Sequence, residues 1–250
     1  MLRIIDSRTG EPVEAAPARR GLTRVHAHAS GLDASALRVL LVADVLVRVL
    51  ELGGTPVWAV LTGDRQQPEL RAAATGLGIR PFEDGRDLAT GLGESQVIRV
   101  AGERGAATDG TSPDGAVLVE VAPVTGPEPP TVADGGVRDP AALRLALLAA
   151  PRGTPVRLDT DALDAADRSL ARWRRAVAGW ARQPSRPVPE EVRGRLRTAW
   201  EDDLDVPGVL RVLGRVETEP GLPDGARFET YAYADRLLGL DLVRDLGSLS

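Results

Sequence analysis

The stretch from Val25 to Arg38, VHAHASGLDASALR, brings together residue types that could meet a phosphate. An alternating apolar run carries His26 and His28, breaks at Ser30 and Gly31, and after Asp33 opens a segment rich in Leu, Val and Ala. A strand, a tight turn and a helix start in that order put backbone amides where an anion would sit, because the first N–H groups of a helix have no partner within it. His28, Ser30, Gly31, Asp33, Ser35 and Arg38 are the candidate lining of such a nucleotide cleft. The turn has one glycine and no lysine, so it has the shape of a phosphate site without the usual charges.

Other constellations are weaker. His26 and His28 lie two apart on a strand and so share a face; two imidazoles do not fill a tetrahedral metal site, and a partly buried, hydrogen-bonded pair at the strand end is expected instead. Ser30, His28 and Asp33 crowd into a single turn, where capping accounts for the serine and the aspartate better than a catalytic triad does. No catalytic residue and no metal ligand is assigned. Glu201, Asp202, Asp203 and Asp205 precede the helix opening at Pro207, where carboxylates favour the positive end of the dipole. ATGLGESQ, around Gly91 and Gly93, lacks the ending of a phosphate loop and reads as a surface turn. In ARWRRAVAGWAR the tryptophans stand at helical spacing, which predicts core positions and a solvated arginine face in preference to an RNA surface.

The elements that must position these residues follow from pattern. Leu22 to Ala29 alternates as a strand, Ala34 to Leu52 is apolar on nearly all faces as a helix packed on a sheet, and Gly53-Gly54 ends it. Val57 to Leu61 reads as a second strand and Pro68 to Leu77 as a second helix, spelling the β-α-β-α order of a parallel sheet. Val97 to Ala101 and Ala116 to Val121 are further strands, and Asp139-Pro140 opens a helix over AALRLALLAA. From Asp159 the pattern is helical: Thr160 to Ala181, Pro189 to Asp202, Val206 to Val216 and Arg227 to Leu246 predict a bundle. The chain therefore divides into a Rossmann-like α/β domain over 1–150 and an all-α bundle over 151–250.

Composition sets the bounds. The chain has 250 residues, 43% of them hydrophobic but only 3% aromatic, so Leu, Val and Ala do most of the packing and Trp58, Trp173, Trp180 and Trp200 are the expected anchors. It has no cysteine, which removes thiolate ligands, thiol nucleophiles and disulfides. All 31 basic residues are arginine, and asparagine is absent as well, a pattern expected of GC-rich coding. With a net charge of −5, no global field draws in nucleic acid. No run is long enough to span a bilayer and MLRIIDSRTG lacks the apolar core of a signal peptide, so a cytoplasmic protein without membrane attachment is expected.

Three separated stretches carry a resemblance. MLRIIDSRTGEPVE resembles the N-terminal strand and turn of cysteinyl-tRNA synthetases, and LRVLLVADVLVRVLELGGTPV resembles the helix and following strand of their class I nucleotide fold, with the Arg38 to Asp44 spacing fitting. LDAADRSLARWRRAV followed by TAWEDDLDVPGVLRVL resembles their helical bundle, Asp202, Asp203 and Pro207 matching and Asp205 and Val206 departing from the pattern, and ADRLLGLDL fits the last bundle helix. The resemblance extends to a related ligase that joins cysteine to an amino sugar on inositol. It implies a class I Rossmann-like parallel sheet with a connective insertion reduced to roughly 65–114, then the bundle.

It also implies ATP-dependent cysteine activation, supported in these proteins by a His-Ile-Gly-His motif, a Lys-Met-Ser-Lys-Ser loop and a zinc site. Anchored on Arg38, the first motif falls on Asp33-Ala34-Ser35-Ala36, where an anion replaces an imidazole. The second falls in APVTGPEPPTVADGG, where Glu128 and Asp134 add negative charge and no arginine stands between Val117 and Val137. The resemblance therefore predicts a non-charging paralogue that binds a small molecule or a protein partner. A remodelled ATP-dependent ligase joining a cysteine-like amino acid to an amine is the alternative. No resident cofactor is expected, ATP staying open and zinc not expected; tRNA charging is not expected, and the oligomeric state is left open.

Overall fold

The computed structural model describes residues 1–17, 22–63, 67–84, 96–103, 116–126 and 139–247. In chain order the elements are β1 (Arg3–Ile5), β2 (Pro12–Glu14), β3 (Thr23–His28), α1 (Ala34–Leu52), β4 (Val57–Thr62), α2 (Gln67–Gly76), β5 (Glu83–Asp84), β6 (Gln96–Gly102), β7 (Val117–Val121), β8 (Val124–Thr125) and α3 (Pro140–Leu148). They continue with β9 (Val156–Arg157), α4 (Thr160–Trp180), α5 (Glu190–Glu201), α6 (Val206–Thr218) and α7 (Asp224–Leu238).

Among the described residues the central sheet has five parallel strands in the order β5-β4-β3-β6-β7. This is the Rossmann-like α/β fold that the alternating pattern predicts. The register sets His26 of β3 between Val60 of β4 and Arg99 of β6, and His28 between Thr62 and Ala101. Inside the 65–114 span, β6 is a central strand between β3 and β7, so that part of the span belongs to the sheet. Its residues 85–95 and 104–114, with Gly91 and Gly93, lie outside the described residues, as do Glu128 and Asp134.

Helix α1 packs against β3, β4 and β6 on one side and α7 on the other, which is why nearly every residue of it is buried. Its ends follow local chemistry: Asp33 caps the first turn and the Gly53 N–H returns to the Val49 carbonyl. One continuous apolar core runs from Val25 and Ala27 through Leu40 and Leu46 to Leu213 and Leu237. Trp173 and Trp200 are buried within it, whereas Trp58 and Trp180 are half-buried. Trp173 and Trp180 both meet the Tyr231 ring edge-on, at 6.2 and 5.1 Å.

Two sequence expectations change. The last helix stops at Leu238 and not Leu246, because Gly239 turns left-handed at φ +61° and Asp235 then accepts the amides of Leu240 and Leu242 at 2.8 and 2.9 Å. Leu240 and Leu242 still enter the core, from an irregular segment. The arginines of α4 are not all a solvated face: Arg174 is 3% exposed and donates to the carbonyls of Leu240 and Asp241. No helix among the described residues is long and apolar enough to cross a membrane.

Candidate functional site

The turn between β3 and α1 is built as the sequence suggests, and its polar groups are already engaged. Gly31 takes a left-handed φ of +88°, which lets the chain reverse after the exposed Ser30. Asp33 Oδ1 accepts the amide of Ala36 at 2.7 Å, so a carboxylate occupies the first-turn position where an anionic ligand would meet free N–H groups. Ser35 Oγ, one residue before that amide, accepts the Val124 amide at 3.0 Å and ties the start of β8 to the helix.

Arg38 sits one turn further on, and its side chain is 1% exposed. Its Nη1 donates to the carbonyls of Ala122 and Thr154 at 2.7 and 2.8 Å, and its Nη2 to those of Pro151 and Ala150 at 2.8 and 3.4 Å. Burial pulls the guanidinium down to about 10, which leaves it charged at neutral pH. Arg38 is thus a clamp between α1 and two backbone segments, and four of its donor interactions are spent on carbonyls. The turn brings Ser30, Gly31, Asp33 and Ser35 together; Arg38 shares α1 with Ser35 and directs its Nη groups to residues 122 and 150–154.

The histidine pair divides. His28 Nδ1 lies 3.2 Å from Thr62 Oγ1, as a hydrogen-bonded strand-end histidine should. His26 departs from that expectation: its Nε2 is buried without a hydrogen-bond partner, and burial, then the neighbouring guanidiniums of Arg24 and Arg99, hold its pKa below the ordinary imidazole value. Among the described residues no cluster of three or more His, Asp or Glu side chains stands close enough to share a metal ion.

The acidic run before Pro207 does more than cap. Asp205 does cap α6, accepting the Gly208 amide at 2.9 Å. Asp203, in left-handed backbone at φ +49°, accepts the Ile5 amide at 2.8 Å and Arg152 Nη2 at 2.6 Å. Below the cleft, Asp44 is 1% exposed and gathers three arginines: Arg144 at 2.7 Å, Arg48 at 2.9 Å and Arg80 at 3.1 Å. Arg144, itself 0% exposed, also donates to the carbonyls of Leu238 and Leu77. These buried charges were missed in the sequence. The one available signal is that Arg38 and Asp44 are the only polar residues between Ala36 and Val47, in a helix apolar on nearly all faces.

No protein-family profile matches the chain. Over part of its length it is similar to curated ligases. It is 39% identical over 112 residues to the L-cysteine:1D-myo-inositol 2-amino-2-deoxy-alpha-D-glucopyranoside ligase of Streptosporangium roseum, covering 42% of this chain and 26% of that protein. Ligases of the same name from Thermobispora bispora and Streptomyces griseus are 36% identical over 104 residues and 37% over 108, each match covering 42% of this chain and 25% of the relative. The match thus spans about a quarter of the length of these relatives. Over that stretch the chain is similar to these ligases, whose name agrees with the ligase resemblance read from its sequence.

Proposed function

We propose that this chain uses the fold of a cysteine ligase as a cytoplasmic binding scaffold, holding a small molecule or a protein partner without forming an adenylate. The observation that carries the reading is the Asp33 carboxylate on the Ala36 amide. In a site that stabilises charge on a departing phosphate, the groups at the helix start must be donors or cations. Here a fixed anion stands there, and Arg38, one turn further on, is buried with both Nη groups on carbonyls. The absence of lysine from the whole sequence removes the other usual cation. Nor does the donor set suit zinc, since two imidazoles, one of them facing Arg24 and Arg99, offer a dication too few ligands in a positive field.

ATP–pyrophosphate exchange with cysteine tests this directly. No exchange above background is expected, and calorimetric titration with ATP is expected to show no binding; exchange at any reproducible rate overturns the reading.

A second reading rests on the relatives, all three of them ligases. On that reading the chain is a remodelled ATP-dependent ligase that joins an amino acid to an amine, with nucleotide bound at the C-terminal ends of the strands. It requires measurable ATP affinity that falls when Ser35 is changed to a bulky residue, and the same titration separates the two.

A further inference from the structure

A cavity of about 340 Å³ opens in the helical half, between α4, the start of α3 and the segment after α7. It uses none of the residues of the turn at Ser30 to Arg38. Its floor is apolar, from Leu170 and Ala178, which are 1% and 5% exposed. Its polar lining comprises three arginines, 174, 175 and 244, and three aspartates, 139, 167 and 245.

Most of this charge is already matched. Arg174 is buried, bonds Asp139 and spends its other donors on two carbonyls. Arg244 reaches the same Asp139 oxygen through Nη1 at 2.7 Å and Asp245 through Nε at 3.4 Å. Asp167 also has a partner. Arg175 differs: it is exposed at the rim and, among the described residues, has no hydrogen bond or ion pair. The charge left to recognise a ligand is therefore a guanidinium, whose planar fork suits a carboxylate. Because the lining as a whole is neutral, a single negative charge fits it better than two.

We propose that this cavity binds a small monocarboxylate with an apolar body, the carboxylate on Arg175 and the body on the Leu170–Ala178 floor. Benzoate is the probe, titrated into the intact chain by calorimetry, with phenyl phosphate and benzyl alcohol as comparisons. Benzoate is expected to bind, benzyl alcohol to bind at least about tenfold more weakly, and Arg175→Gln to weaken benzoate by about tenfold, the cost of one charge-assisted bidentate contact. Arg168→Gln, an exposed arginine of the same helix outside the cavity, is expected to leave binding unchanged. Since Arg175 holds nothing in the fold, thermal unfolding of Arg175→Gln should match the parent. The proposal is overturned if benzoate does not bind, if Arg175→Gln binds it equally, if Arg168→Gln weakens it as much, or if phenyl phosphate binds more tightly. None of these outcomes depends on whether the turn at Asp33 accepts a nucleotide.

Discussion

Two buried arginines hold this molecule together in different ways. Arg144 meets a carboxylate, Asp44, inside a knot that also draws in Arg48 and Arg80 and so joins α1 to α3 and the end of α7. Arg38, six residues before Asp44 on the same helix, meets no carboxylate: both its Nη groups bond main-chain carbonyls, and its buried Nε has no partner. The difference bears on function. An arginine that closes an ion pair belongs to a network whose loss strands a charge, whereas one that clamps carbonyls fixes the path of loops. Near the turn where a phosphate would bind, this chain has spent Arg38 on the second task.

Removing the carboxylate from the knot should have the largest effect. Asp44→Ala leaves Arg144 buried and uncompensated, and urea unfolding should show a loss of about 3–5 kcal/mol. An equal loss in Asp44→Ala and in the Asp44→Ala, Arg144→Met double variant would show that the stranded charge is not the cause. The knot also has an acid limb. Burial raises the Asp44 pKa, but Arg144 and Arg48, with hydrogen bonds from Arg144 and Arg80, more than reverse this and hold it below its ordinary 3.8. A depressed folded value gives stability that is complete above the unfolded value and is lost as pH falls through the folded one. Unfolding measured downward from about pH 5 should therefore steepen below the ordinary carboxylate range, and Asp44→Asn should flatten that limb.

The clamp should cost less. Arg38→Met keeps the apolar stem and leaves carbonyls with fewer partners, for an expected loss of about 2–3 kcal/mol with no acid limb. A loss as large as that of Asp44→Ala would erase the distinction between the two regions. Gly239→Ala approaches the knot from α7: the residue sits at φ +61°, and a methyl group there would stand 3.0 Å from Arg144 Nη2. The expected cost is about 1–2 kcal/mol, above that of Gly10→Ala, which shares a positive φ but has open space around it. The smallest effect belongs to Asp33→Ala, about 1 kcal/mol from the lost cap, visible as a lower urea midpoint. If that variant gained ATP affinity, the capping carboxylate would be the barrier that the proposed function assigns to it.

The periodic parts of the fold were legible in the sequence. Helix α1 begins and ends where Asp33 and Gly53 place it, and Asp139 with Pro140 opens α3 as an N-cap followed by proline. The parallel strands follow from the β-α-β order. What escaped was side-chain fate. Arginine is normally exposed, and beyond the apolar runs that flank Arg38 and Arg144 nothing local marks these two and Arg174 as buried; each is fixed by carbonyls or carboxylates at least 35 positions away. The short pairs β1–β2 and β8–β9 carry too few residues for a period to show. The turn at Asp33 was legible in shape and capping, whereas the engagement of Ser35 by Val124 required the folded chain.

The contact between Ile5 and Asp203 imposes an order of events on synthesis. The two residues are 198 positions apart, so at about five to twenty residues per second the first waits about 10 to 40 seconds for the second to be made. Strand β2 can shelter one edge of β1 during that interval, but the Ile5 amide donates to water until the α5–α6 junction brings its protein acceptor. The contact of the N-terminal hairpin with Asp203 thus waits for the α5–α6 junction, and a ribosome stalled before that point would hold the β1–β2 pair without it.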